Sequence, residues 1–226
     1  MKILGIDTTT KFLCLGLYDN TKIYEYTLEV GRKLSSLLAP TIKRILDTLG
    51  WNMWDIDYFA CGLGPGSFTG VRVGLATMKG MSWALNKPII GISTLDILAK
   101  NAAKADVQII PLIDAKRNLV YSSIYRNKNA RLTRVGPYML STREEFFKKI
   151  KTNAIILGDA AGLYKDEILS HIEGAHILEK DYWYPRAHNL IALALERIKD
   201  KKLHDPFKIR PIYLYPKECQ IRKASV

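Results

Sequence analysis

The chain has little that would mark it for export, for a membrane or for a metal. Its three cysteines, Cys14, Cys61 and Cys219, are odd in number, far apart and free of CxxC spacing. That excludes a disulfide framework or a zinc cluster and predicts small buried hydrophobes in a reducing compartment. No apolar run approaches the roughly 20 residues that a membrane-spanning helix needs. The opening MKILGIDTTT enters a strand-like pattern at once and lacks the basic, apolar, small-residue order of a signal peptide, so the cytoplasm is the expected location. The four histidines (His171, His176, His188, His204) fall in the second half with neither HExxH nor HxxxH spacing. Neither a zinc hydrolase nor a Ser-His-Asp triad has a specific signal.

Acid is also in deficit. There are 22 Asp and Glu against 34 Lys and Arg, for a net charge of +12, and eight basic residues face three acidic ones between Lys199 and Val226. Such a surface attracts phosphate-rich partners, although surface lysines also serve solubility alone.

What is present fits a globule: 226 residues, 48% hydrophobic and 25% charged, long enough for a sizeable core. Residues 2–7, 12–18 and 23–30 read as three antiparallel strands. The period then changes: Leu34, Leu37, Leu38, Thr41, Ile42, Ile45, Leu46 and Leu49 form one helical face, with Gly50 as the stop and Pro40 expected to kink the helix or displace its regular part. Residues 58–62 read as a strand, 71–85 as a helix, 89–92 as a strand, and Thr94 as the cap of another helix. The second half begins comparably, with strands at 108–113, 119–125 and 131–139, a helix at 143–150 and a strand at 154–157. It then degrades to a helix at 188–199 and a strand-like run at 211–215. A βββαβαβα order used twice predicts two α/β subdomains facing one another, 1–103 and 104–226, the second degenerate.

Candidate chemistry sits in three loops. Asp7, Thr8, Thr9 and Thr10 place an acid and three hydroxyls at a tight turn between strands, and Asp114 occupies the matching turn of the second half. Two such acids pointing into one cleft would suit a nucleotide, although Asp and Thr are also ordinary turn residues. The stretch GLGPGSFTGVRVG, 62–74, contains no GxxxxGK[ST] and no GxGxxG, and proline stands where a GxSxG elbow around Ser67 needs glycine. It reads as a stiff turn, with Ser67 or Thr69 available to cap the following helix. On that helix Ala76, Gly80 and Ala84 recur every four residues, a ridge that lets another helix approach closely. Spacing does not say whether that helix is internal or belongs to a partner.

The segment GLGPGSFTGVRVGLATMKGMSWALNKPIIGISTLD at 62–96 strongly resembles the TsaB family of bacterial tRNA-modification proteins. LGIDTTT at 4–10, PLIDAKRNLVYSSIY at 111–125 and PIYLYPK at 211–217 follow the same family pattern in order, while 126–185 is generic. The resemblance implies a two-lobed actin-like ATPase fold and kinship with the catalytic subunit TsaD, in the glycoprotease-like superfamily. It implies a scaffold that, with TsaD and the ATPase TsaE, serves the attachment of threonylcarbamoyl, from threonylcarbamoyl-adenylate, to the adenosine beside the anticodon of ANN-reading tRNAs. Pairing with TsaD, or with a second copy when alone, would use the first two helices, here through Leu37, Thr41, Ile45, Ala76, Met78, Gly80 and Ala84. Contact with tRNA would come through the complex, and no membrane is involved. Where TsaD carries a metal-binding HxxxH this chain has Thr94 and Leu98, so the resemblance implies a non-catalytic subunit with no metal and no required cofactor. ATP or ADP would find a place only at the cleft of Asp7, Thr8, Thr9 and Asp114 or at the complex interface. One departure is that the region 32–34 has no histidine, where many TsaB sequences do. The competing expectation is an independent actin-like ATPase or small-molecule kinase using Asp7 and Asp114.

Overall fold

A computed structural model describes residues 1–103, 106–128, 131–150 and 152–215. The first half opens with a meander, β1 (Ile3–Asp7), β2 (Phe12–Tyr18) and β3 (Ile23–Glu29). β1 is buried along its whole length, whereas β3 alternates as an edge strand should. Helix α1 (Leu34–Thr48) runs through Pro40, which neither displaces nor ends it. Gly50, at φ +65°, ends α1: its amide reaches Asp47 O and that of Trp51 reaches Leu46 O at 2.9 Å, the paired closure for which glycine is favoured. β4 (Tyr58–Gly62), α2 (Phe68–Ala84), β5 (Ile89–Ile92) and α3 (Thr94–Ala99) follow. Ser93, not Thr94, caps α3, its hydroxyl accepting from Leu95 N. The hydroxyl of Thr94 turns inward instead.

The sheet order is β3-β2-β1-β4-β5, with β4 and β5 parallel to β1. The second half repeats it as β10-β7-β6-β11-β12, from β6 (Gln108–Lys116), β7 (Leu119–Ser122), β10 (Met139–Thr142), β11 (Thr152–Leu157) and β12 (Glu173–Ile177). This is the actin-like duplication. Its degeneracy lies in the helices: α4 (Arg143–Lys149) is short, and the 17 residues of α2 are answered by α5 (Asp159–Leu163) and α6 (Lys165–His171).

Three sequence expectations change here. The run 119–125 stops at Ser122, and Tyr125 begins a separate strand, β8 (Tyr125–Lys128). The run 131–139 is also divided, into β9 (Arg131–Arg134) and the start of β10. Residues 211–215 form no strand; Ile212 donates to Leu63 O at 2.9 Å and Tyr215 OH to Ala115 O at 2.7 Å, which laces this segment to both halves. Among the described residues no helix is long and apolar enough to cross a membrane.

The halves are knitted by exchange. The closing helix α7 (Ala187–Lys199) lies on the first sheet, with Leu190 and Ile191 packed where Gly5 and Gly16 leave room. In return α3 lies beside β6, and its Asp96 accepts from Tyr125 OH at 2.7 Å and Tyr138 OH at 2.9 Å.

The glycines of 62–74 explain how the site is held. A Cβ on Gly62 would run into the Asp7 carboxylate, one on Gly66 into Thr9 O, one on Gly70 into Thr8 O and one on Gly74 into the Thr8 hydroxyl. Every fourth residue is therefore a seat for the β1–β2 turn. Gly80 is different: it is exposed, and among the described residues nothing lies within 4 Å of a Cβ there. Chemical denaturation should separate the two kinds. Gly70→Ala should destabilise by about 1–3 kcal/mol through overpacking, and Gly80→Ala should stabilise by about 1 kcal/mol through helix propensity.

Candidate functional site

Asp7 ends β1 with 1% exposure. Its carboxylate accepts from Thr9 N at 2.9 Å and Thr9 Oγ1 at 2.7 Å, and the hydroxyl of Thr94 lies 3.1 Å from the other oxygen. Burial raises its pKa above the ordinary value, and these hydrogen bonds oppose that rise. Burial, with the charge of Asp7 second, also pushes the thiols of Cys14 and Cys61 well up, so both are inert. Thr8 is equally buried and donates its hydroxyl to Gly70 O at 2.7 Å. Asp7 and Thr8 are thus structural partners of the glycine loop, turned away from solvent.

A cavity of about 730 Å³ separates the halves. Thr9, Thr10, Lys11 and Ser67 line it from the first half, and Asp114, Lys116, Arg117 and Asp159 from the second. Of the four residues expected at a nucleotide cleft, Thr9 and Asp114 reach this cavity, whereas Asp7 and Thr8 lie behind its wall. The second acid in the cleft is Asp159, which the sequence reading missed. Asp159 accepts from the amide of Asp114 at 2.9 Å; burial first, and the charge of Asp114 after it, raise its pKa. Asp114 is paired with Lys116 Nζ at 2.6 Å.

Lys116, Arg117 and Asn118 all have positive φ, at 65°, 52° and 64°. Three successive non-glycine residues in that region store strain, and the hairpin they form carries Lys116 and Arg117 to the cavity wall. Tyr121, Tyr184, Tyr213 and Tyr215 add aromatic surface, and burial pushes Tyr121 up to about 12, keeping its hydroxyl protonated. No signal in the local sequence joins these tyrosines, because they come from separate segments. Among the described residues no three His, Cys, Asp or Glu side chains converge as metal ligands. Thr94 and Leu98 are both fully buried.

The expected partner surface divides as well. Ala76, Gly80 and Ala84 are exposed along α2, beside Trp83, which is 64% exposed. Leu37 and Ile45 on α1 are half-buried. Met78 and Thr41 are buried, Met78 completely, so both serve the core and leave the expected partner surface.

Residues 28–205 match the family model described as TsaD, tRNA N6-adenosine threonylcarbamoyltransferase. The tRNA threonylcarbamoyladenosine biosynthesis protein TsaB of Bacillus subtilis is 34% identical over 172 residues, 74% of this chain and 75% of that protein. The protein of the same name in Haemophilus influenzae is 27% identical over 226 residues, 95% of this chain and 93% of its own. Two solved structures share the fold: a Pseudomonas aeruginosa protein described as uncharacterized with similarity to peptidase YeaZ, at TM-score 0.83 and 24% identity over 95% of this chain and 99% of that one, and YeaZ from the same organism, at TM-score 0.79 and 23% identity over 94% and 99%. Duplicated sheet order, interlocked DTT and glycine motifs, and relatives matched along most of their length agree, and the chain belongs to the TsaB family.

Proposed function

We propose that the protein acts in tRNA threonylcarbamoyladenosine biosynthesis as a non-catalytic scaffold in the cytoplasm, pairing with TsaD and, in its absence, with a second copy of itself; TsaE completes the assembly. The observation that carries this reading is the exposed ridge of Ala76, Gly80 and Ala84 on α2. A glycine inside a helix costs about 1 kcal/mol against alanine. At Gly70 and Gly74 the Thr8 turn uses that smallness, but among the described residues no contact uses it at Gly80. A partner helix approaching closely would, with half-buried Leu37 and Ile45 and exposed Trp83 extending the apolar area.

Size-exclusion chromatography and reconstitution test this. Gly80→Leu should keep the fold, since the position is open, yet weaken self-pairing and TsaD pairing by tenfold or more, roughly the 1.4 kcal/mol that each decade represents. Modification of tRNA by TsaD, TsaE and threonylcarbamoyl-adenylate should depend on adding this chain and fall with that variant. Unchanged pairing in Gly80→Leu would falsify the surface.

A second reading, nucleotide turnover by the chain itself, is favoured by the cleft between Asp114, Asp159 and Lys116. Against it stands the burial of Asp7 behind Thr9 and Thr94. The scaffold reading expects no ATP hydrolysis by the isolated chain above a protein-free blank, and no difference for Asp114→Asn. ATP or ADP binding without turnover, read by calorimetry and abolished in Asp114→Asn, would make the cleft a ligand site of the scaffold.

A further inference from the structure

Among the described residues, the β8–β9 hairpin lies outside the duplicated sheet order. β8 joins the frame through the pairing of Ile109 with Tyr125, and β9 pairs with β8. The frame repeats without it; Tyr125 and Leu132 pack into the core, and the hairpin's other face carries no packing demand. From Lys116 to Arg134 the chain has six basic residues and no acidic one. After residue 103 there are 23 Lys and Arg against 14 Asp and Glu, which places most of the excess charge in this half.

The register sorts these charges by face. Arg126 pairs with Thr133 and Lys128 with Arg131. Cross-strand partners share a face, so Arg126, Lys128, Arg131 and Thr133 form one side, and all four are exposed. Arg131 reaches Asp200 at 3.4 Å, just past the end of α7, where Lys199, Lys201 and Lys202 are exposed as well. Lys202 meets the same carboxylate at 3.1 Å, and these two partners, Lys202 first, hold Asp200 below its usual range. Asp106 borders a small cavity with Arg126, and Glu196, one turn before Lys199, is paired with Lys100. The hairpin and the helix end are therefore one continuous surface of six basic residues.

We propose that this surface, Arg126, Lys128 and Arg131 with Lys199, Lys201 and Lys202, is a docking face for the phosphate backbone of tRNA. The proposal rests on the reading that the protein serves tRNA modification. Lysine and arginine contacts to phosphate fix position and carry no base sequence, which suits a subunit that must accept tRNAs differing in sequence. An anionic lipid surface fits less well, because the described residues of the hairpin face offer no apolar side chain to insert. The face uses none of the residues of the α1–α2 ridge.

Fluorescence anisotropy of a labelled, unmodified ANN-reading tRNA titrated with the full chain, from 50 to 300 mM KCl, tests it. The R126Q/K128Q/R131Q and K199Q/K201Q/K202Q variants should each bind about tenfold more weakly near 100 mM salt, and their log K against log salt slope should be shallower by about 0.7–0.9 for each phosphate no longer neutralised. The control K22Q/R32Q/K43Q, on exposed residues of the first half, should match the parent chain. Thermal melts verify that every variant is folded, and two independent triples guard against a local defect in either element. Affinity and slope unchanged in both triples, equal weakening in the control, or no tRNA binding by the parent chain at 50 mM salt overturns the proposal. So does loss of binding to phosphatidylserine vesicles with tRNA binding intact. Reconstituted modification separates the two readings. Dependence on this chain with both triples fully active at sub-saturating tRNA removes the docking face and leaves the scaffold, whereas no dependence on the chain removes the scaffold reading itself.

Discussion

The first half turns on one contact, the seating of the β1–β2 turn along the glycines at 62, 66, 70 and 74. Four positions spaced by four residues each leave room for Asp7, Thr8 or Thr9, and Ser67 N closes the contact on Thr9 O at 2.7 Å. The turn follows β1 and the glycines follow β4, its parallel neighbour, so the contact sets how α2 leaves the sheet. Once α2 is aimed, its buried face, with Val71, Leu75 and Met78, meets the core, and the other face is left to solvent. A side chain at Gly62, Gly66 or Gly70 would part the turn from the helix, and the exposed ridge would move with it.

The same contact accounts for the fate of Asp7. In an open hairpin an acid at a strand end is free for ligand chemistry. Here the glycine loop lies over it, and Thr9 and Thr94 satisfy its oxygens, so its charge is answered internally. Among the described residues of the second half no glycine loop lies on the acid: the β6–β7 turn carries three residues with positive φ, and Asp114 lines the cavity beside Asp159. Two pseudo-equivalent acids have thus diverged, one into architecture and one toward the cleft.

Much of this was legible in the residues. Hydrophobic period and turn chemistry place the first sheet and its helices nearly where they lie, because the strands are strongly apolar, α1 and α2 are long, and Gly50, Ser67 and Pro88 mark boundaries. The interlock itself was not legible, since glycine at 70 and 74 looks the same whether it makes room for Thr8 or for another protein. Only the space beside each Cα separates those glycines from Gly80. In the second half, short strands with mixed polarity hid β8 and β12, and residues 211–215 read as a strand while making isolated bonds across the two halves. Asp159 was missed because its partner is the amide of Asp114, 45 residues away.

Duplication leaves each half free to specialise where the shared frame makes no demand. In the first half the freedom lies on the outer face of α2, which core packing leaves unfilled and where glycine persists against its own helix propensity. In the second half the helices shrink and an extra hairpin appears, carrying arginine and lysine where the frame has no pairing to satisfy. An apolar small-residue ridge and a hydrophilic basic face suit different partners, as proposed above: one a close-packed helix, the other a phosphate backbone. Because α7 crosses onto the first sheet and α3 packs beside β6, the two faces belong to one packed body. A partner held by the first and an RNA held by the second would therefore be fixed relative to each other, which is the contribution that the proposed scaffold makes to a reaction.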